Sequence, residues 1–276
     1  MSASTADPGP ESHPATKLRL GGMALRNGLL VHGPTHWAAA VRAADGSIRT
    51  ASGRKPRARG VEGFPGVRGL ARLGEAFAVI PAVKRALPEA RLPFQDAGVL
   101  GVAAGAALGG SLVRRRMGGA GGDVVAAAAS LAPAMFALQG GELAAYHGVE
   151  HKAIAAYEQD RDDASRAAKE HDRCGSNLVA PMLVANLTGA ALVRRVLQQP
   201  GPLAGAAVAL SSMAAAVEVF AWSERHAGTR LARALRRPGF ELQRAMGTRE
   251  PDERQLEVGR AALAEILRVE PAARAG

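Results

Sequence analysis

Four long runs nearly free of charge occupy the middle of this 276-residue chain, and they limit what it can fold into more than any other feature. Residues 97–113 contain no charged side chain and stop abruptly at Arg114-Arg115-Arg116, and residues 124–141 are again uncharged. Residues 178–193 carry one strongly polar side chain, Asn186, before Arg194-Arg195, and residues 202–222 carry one charge, Glu218. Such runs have to be buried, either in lipid or in a protein core. A bilayer core of about 30 Å asks for roughly 20 apolar residues, which these runs reach by borrowing flanking residues or by letting terminal arginines snorkel. Alanine and glycine insert weakly, so a soluble bundle of alanine-rich helices is the competing reading. The arginines at the run ends favour the membrane. Four spans put both termini on one side, and the basic residues agree: Lys84, Arg85 and Arg91 precede the first run, Lys152, Arg161, Arg166, Lys169 and Arg173 lie between the second and third, and Arg225, Arg230, Arg233, Arg236 and Arg237 follow the fourth. The positive-inside rule thus expects both termini and the loop at 142–177 to be cytoplasmic, with Arg114–Arg116 running against it.

The flanking regions are of a different character. Residues 1–17 are Ser/Pro/Glu-rich, hold no apolar run of signal-peptide length, and are expected to form a disordered tail. Residues 18–93 combine short apolar runs, glycines and the turn signal Asp45-Gly46 with a helical run from Val67 to about Leu87, in which Leu70, Leu73, Phe77, Ile80 and Val83 make one stripe. A small α/β unit is expected there. Residues 94–222 form the membrane region and residues 223–276 a helical tail, whose amphipathic stretch from about Asp252 to Val269 carries Leu256, Leu263, Ile266 and Leu267. The tail is expected to pack on the N-terminal unit. Net charge is +10, but aromatics are only 4% and the arginines are spread along the chain, so nucleic acid is a weak second choice of partner beside an anionic membrane. The single cysteine, Cys174, excludes an internal disulfide or a site made only of this chain's thiolates.

The chemistry is concentrated in one loop. Tyr146-His147-Gly148-Val149-Glu150-His151-Lys152 places two imidazoles four apart, hence one turn apart on one helix face, where both can bind a single ion. This is the H-x-x-E-H order of inverted zinc peptidases, with Glu150 in the position of the general base. His171 and Cys174, a nitrogen and a soft sulfur, are the expected remaining ligands of a zinc ion. If all four donate, the site is closed and structural; hydrolysis needs an open position. Glu142, Glu158 and Asp172 are acidic alternatives that can replace Cys174 or orient an imidazole. The plain alternative is two surface histidines and a buried apolar thiol. Elsewhere, Glu218 is expected to face the bundle interior, toward Asn186 or the metal site. His32 and His36 flank a turn and are expected to face solvent, and Ser211-Ser212 is expected to serve helix packing.

The block from Tyr146 to Lys152, followed by Ala155-Ala156-Tyr157-Glu158 and His171-Asp172-Arg173-Cys174-Gly175-Ser176, resembles the YqhQ-like family of bacterial membrane proteins, the domain of unknown function DUF1385, once labelled a predicted metal-dependent enzyme. Gly21-Gly22 with Ala24 and Gly28, Val41-Arg42, Asp45-Gly46 and Arg68-Gly69 resemble its opening. Pro238-Gly239, Leu242-Gln243, Thr248-Arg249-Glu250-Pro251-Asp252 and Gln255-Leu256-Glu257-Val258 resemble its close. The chain departs from the family where Met23, Asn27 and His32 stand in place of Gln, Glu and Arg, where Asp172 replaces Pro, and near Met246-Gly247, where a residue is inserted. If those opening polar residues serve the family's site, this chain is a diverged member with altered activity. The resemblance implies several spans with cytoplasmic motifs, and no substrate.

The expectation is a mainly α-helical integral protein of the cell's inner membrane, with about four short spans, a small N-terminal α/β unit and a C-terminal amphipathic helical tail. Its function is expected to be that of a zinc-dependent hydrolase at the cytoplasmic surface, with His147, His151, His171 and Cys174 as ligands and Glu150 as base. The alternatives are a non-catalytic scaffold with a structural metal that organises the cytoplasmic face for a protein partner and, more weakly, a transporter resting on Glu218 and Asn186.

Overall fold

The computed structural model of the protein describes residues 17–272 apart from 59, 62, 63, 65, 140, 162 and 198–200. The expected tail at 1–17 lies, but for Lys17, outside the described residues. The chain opens with an antiparallel meander of β1 (Gly21–Leu25), β2 (Gly28–His32), β3 (His36–Arg42) and β4 (Ile48–Arg54), in the order β1-β2-β3-β4. Its first turn is held by Asn27, whose amide donates to Arg42 O and Glu89 O and whose carbonyl accepts from Arg91 N. At the last turn the Asp45 carboxylate accepts from Ser47 N at 2.9 Å while Gly46 takes φ +84°, a region open to glycine.

Strand periodicity then sorts the side chains. Leu29, Val31, Ala38 and Ala40 point to one face of the sheet, and Leu30, Trp37, Ala39 and Val41 to the other. The second face packs on Val79, Val83, Leu87 and Leu92, from the region of helices α1 (Val67–Ala78) and α2 (Ile80–Ala86). The single helical run expected here is broken at Val79, because Pro81 can stand only in the first turn of a new helix. Of the expected stripe only Val83 is buried. Phe77 is 49% exposed, and Phe64 and Val67 are exposed with it.

Helix α3 (Ala97–Met117) is capped by Asp96, which accepts from Gly98 N and Val99 N. The second apolar run forms two pieces, α4 (Gly119–Ala129) and α5 (Ala132–Gln139), parted just before Pro133. After α6 (Glu142–Glu158) and a loop come α7 (Val179–Val196), α8 (Pro202–Arg225) and α9 (Arg230–Leu242). A π-helical turn at Gln243–Gly247 leads into α10 (Glu253–Ala272). Among the described residues, four helical stretches are long and apolar enough to cross a membrane: Ala97–Met117, Gly119–Gln139, Gly175–Val196 and Leu203–Arg225. Their apolar side chains face outward; Leu108, Val184 and Leu203 are 74%, 65% and 86% exposed. At the far end of these helices Arg194 of α7 pairs with Asp123 of α4. Glu218 turns neither to Asn186 nor to the histidines. It accepts from Gly66 N at 2.8 Å and holds Arg68 through both carboxylate oxygens, tying α1 to α8.

The core sits on the first sheet face, where Tyr146, Val149 and Ile154 of α6 meet Val258, Ala262 and Ile266 of α10. Close approach here depends on Gly259, since a Cβ on it would lie 2.4 Å from a Val149 methyl carbon. Glu270, near the end of α10, is fully buried and accepts from Thr35 N and His36 N, closing the sheet end.

His32, expected in solvent, is instead buried beneath that end with neither ring nitrogen bonded. Burial, and secondarily the Lys55 ammonium, lowers its pKa to about 4. The unfolded chain therefore takes up a proton near the usual value of about 6.5 that the fold refuses, and stability is lost as pH falls from that value to about 4. The unfolding free energy of the purified protein should fall across this window by at most roughly 3 kcal/mol, read as a drop in the thermal midpoint. His32→Leu should flatten that part of the profile; an unaltered slope would show that this imidazole is not the group responsible.

Candidate metal centre

Helix α6 is surrounded by protein on nearly every side, with thirteen of its residues buried. Its sequence permits this because Ala144, Ala145, Gly148, Ala153, Ala155 and Ala156 let other backbones come close. A Cβ at Gly148 would lie 2.3 Å from Arg249 O, and Arg249 N donates to Ala144 O at 2.9 Å. A helix enclosed in this way must find partners for its polar groups. Lys152, 3% exposed, donates to Ser165 O at 2.9 Å and Ala167 O at 2.7 Å and pairs with Glu250 at 3.1 Å. It thereby pins the loop between α6 and α7.

The two histidines are partnered by carbonyls. His147 Nδ1 lies 2.8 Å from Gly247 O, and His151 Nδ1 lies 2.6 Å from Lys169 O. A carbonyl oxygen can only accept, so both Nδ1 atoms carry a proton, and each ring in its neutral form presents a bare Nε2. Cys174 Sγ stands 3.3 Å from His147 Nε2. One ligand atom from each of His147, His151 and Cys174 falls within 4.8 Å of the others, a group that could hold a metal ion. Tetrahedral zinc separates nitrogen and sulfur ligands by roughly 3.3–3.6 Å, so seating an ion asks for a closing of no more than about 1.5 Å at any pair. Burial depresses the His151 imidazole below its ordinary value, favouring the neutral form that ligates.

His171 stands close by, its ring centroid 5.7 Å from that of His151, but outside the trio. Its Nδ1 accepts from Arg173 N at 3.2 Å, so the proton is on Nε2, which donates to Glu158 at 3.3 Å. No lone pair is left for a metal in this arrangement. Glu158 also takes Arg173, and Arg173 reaches Glu224 at the end of α8, so the acidic residue considered as a ligand serves instead as the anchor of the loop. Glu142 and Asp172 are likewise outside the group, and Asp172 pairs with Arg236.

Glu150 shares the helix face of His147 and His151 and is buried, its carboxyl pushed up by burial against the opposing pull of His147 and His171. It lies along β1, where Gly22 makes room for it: a Cβ there would be 2.7 Å from Glu150 Oε1. Several supporting residues carried no signal of their own in the sequence. Gln243, fully buried, accepts from His171 N and donates to Ser176 Oγ. Lys169 donates to Arg244 O and Thr248 O, clamping the π turn whose last carbonyl holds His147. Such wide turns cluster at functional sites. The Leu242-Gln243 and Thr248-Arg249 motifs marked the segment, though not its contacts.

Residues 142–269 match the family DUF1385, described as a protein of unknown function. The matched span runs from the first residue of α6 into α10 and contains all three members of the trio. No curated protein and no solved structure matches the chain.

Lys152→Met should lower stability by about 1–3 kcal/mol, because two buried carbonyls lose their donor. The thermal midpoint measures it, and a change within error would mean that water or Glu250 alone governs this loop.

Proposed function

We propose that the protein is an integral membrane metalloprotein whose His147–His151–Cys174 centre binds zinc at the cytoplasmic surface of the inner membrane and acts as a hydrolase there. The observation that carries the reading is the tautomer: two backbone carbonyls hold both Nδ1 protons and leave two bare Nε2 atoms beside a thiol. Carbonyl partners of this kind are what orient and strengthen metal-ligating histidines. With three protein ligands and His171 engaged elsewhere, a fourth position stays open, as catalytic zinc requires. A divalent ion held by these three residues would supply Lewis acidity to a substrate carbonyl or phosphoryl group. Glu150, on the same helix face, is the residue to take a proton from the attacking water.

The topology is supported by packing. Strands β1 and β2 precede the first apolar stretch, α6 lies between the second and third, and α10 follows the fourth, yet all share one core. Three segments that pack together must lie on one side of a bilayer, as two crossings between each of them require. The outward-facing apolar residues of the four stretches, and the exposed Phe64, Val67 and Phe77 beside α8, then face lipid instead of water.

The second reading is a structural metal. It is favoured by the burial of the centre between α6, the loop and the π turn, which would knit the cytoplasmic face together for a protein partner. The two separate on measurement. Protein purified without chelators should contain about one zinc per chain, and His151→Ala should lose it. Glu150→Gln should keep the metal and the fold and abolish hydrolysis of a generic ester or peptide substrate. Loss of fold on metal removal, with Glu150→Gln indistinguishable from wild type, would decide for the scaffold. Absence of bound metal in the wild type would defeat both.

A further inference from the structure

Helices α7 and α8 run side by side, Gly189 meeting Val208 so closely that a Cβ on the glycine would lie 3.0 Å from a valine methyl carbon. Along this pair lies an open groove of about 760 Å³, walled by apolar and small residues including Val184, Leu192, Ala207 and Ala215. Ligand sites are usually of about 300–1,000 Å³. The groove extends on α7 from Ala180 to Val193. At a rise of 1.5 Å per residue that is roughly 20 Å, more than one leaflet of a hydrocarbon core about 30 Å thick. Its shape is that of an alkyl chain.

Helix α9 roofs the end nearest the metal centre, contributing Ala234, Leu235 and Pro238 to the groove. The next residue, Gly239, accepts from Ser176 Oγ at 3.1 Å, two positions beyond Cys174. The flank of α9 beside this lining decides what the groove holds. Arg230, Arg233 and Arg237, at i, i+3 and i+7, share one face bordering the apolar stripe of Leu231, Ala234 and Pro238. All three are exposed, and their guanidinium groups have no partner among the described residues. Arg236, turned inward, shows the contrast by pairing with Asp172 and donating to Ala227 O. An amphipathic helix of this pattern at the end of a span lies in the plane of the interface, and basic pockets between spans at that level hold anionic headgroups. A helix from a second copy would fill the small-residue groove but leave the arginines without an anion.

We propose that the α7–α8 groove and the arginine face of α9 form a binding site for an anionic diacyl phospholipid, one acyl chain lying along the groove and the phosphate held by Arg233 and Arg237. The site rests on the reading of these helices as membrane spans and is independent of the metal. Alkaline carbonate washing of membranes containing the full chain tests that reading first, since release of the protein would remove the spans themselves.

The retained protein is then reconstituted in bilayer discs of phosphatidylcholine with a minority of phosphatidylglycerol, and its co-purifying lipid is counted by native mass spectrometry. The wild type should retain about one phosphatidylglycerol per chain in preference to phosphatidylcholine. R233Q/R237Q should lower that preference about tenfold or more, and R233K/R237K should largely keep it. Ala215→Phe, which fills the groove, should reduce retention of both lipids in a monomeric protein. Equal retention of the two lipids by the wild type, or an unchanged ratio in R233Q/R237Q, would overturn the proposal. So would a wild-type dimer that Ala215→Phe splits, since a second copy would then occupy the groove. If Ala215→Phe does not fold, the surface arginine variants decide alone.

Discussion

A helix enclosed by protein on nearly all sides must match every polar group it carries, and α6 carries four in succession on and beside one face: His147, Glu150, His151 and Lys152. Lys152 is matched by two carbonyls of the following loop, His151 by a third from the same loop, and His147 by the end of the π turn. These bonds come from segments far apart in the chain, so the same requirement that satisfies α6 assembles the loop, the turn and the thiol around it. The metal trio is a by-product of that matching. Once both Nδ1 protons are committed to carbonyls, the lone pairs left on the two rings lie beside Cys174.

That account also explains which parts of the site can be read from the residues. His147, Glu150 and His151 are legible because helical spacing alone puts them on one face, and Cys174 because a single thiol close after two imidazoles has few better uses. His171 has the same credentials in sequence. It differs only in that its ring accepts a backbone N–H two residues on and so carries its proton on the other nitrogen, a distinction no spacing encodes. Gly22 and Gln243 are illegible for a related reason: their roles, room for one carboxylate and a bridge between His171 N and Ser176, exist only after distant segments have met.

The fold divides in the same way. Four apolar runs, the strand alternation and the amphipathic last helix follow from local pattern. The break at Val79 follows from Pro81, yet the loss of the expected stripe does not, since Phe77 stays exposed because α1 lies against α8 through Gly69 and Val217 instead of burying its apolar face. His32 reads as a turn residue from its neighbours Gly33 and Pro34, but β2 continues through it and carries it under the sheet end. Glu218 is expensive in lipid in any arrangement; the sequence offers no hint that Arg68, 150 positions earlier, returns to meet it.

The buried carboxylate of Glu270 has a further consequence, for the order of biogenesis. It closes the end of a sheet built from residues 21–54, although it lies more than 200 positions further along the chain. About 200 residues, including every apolar stretch, are translated in between, which at 5–20 residues per second takes roughly 10–40 s. Throughout that interval one face of the sheet lacks α10, which completes its cover. The newborn strands must therefore wait, shielded by some other means, until α10 arrives.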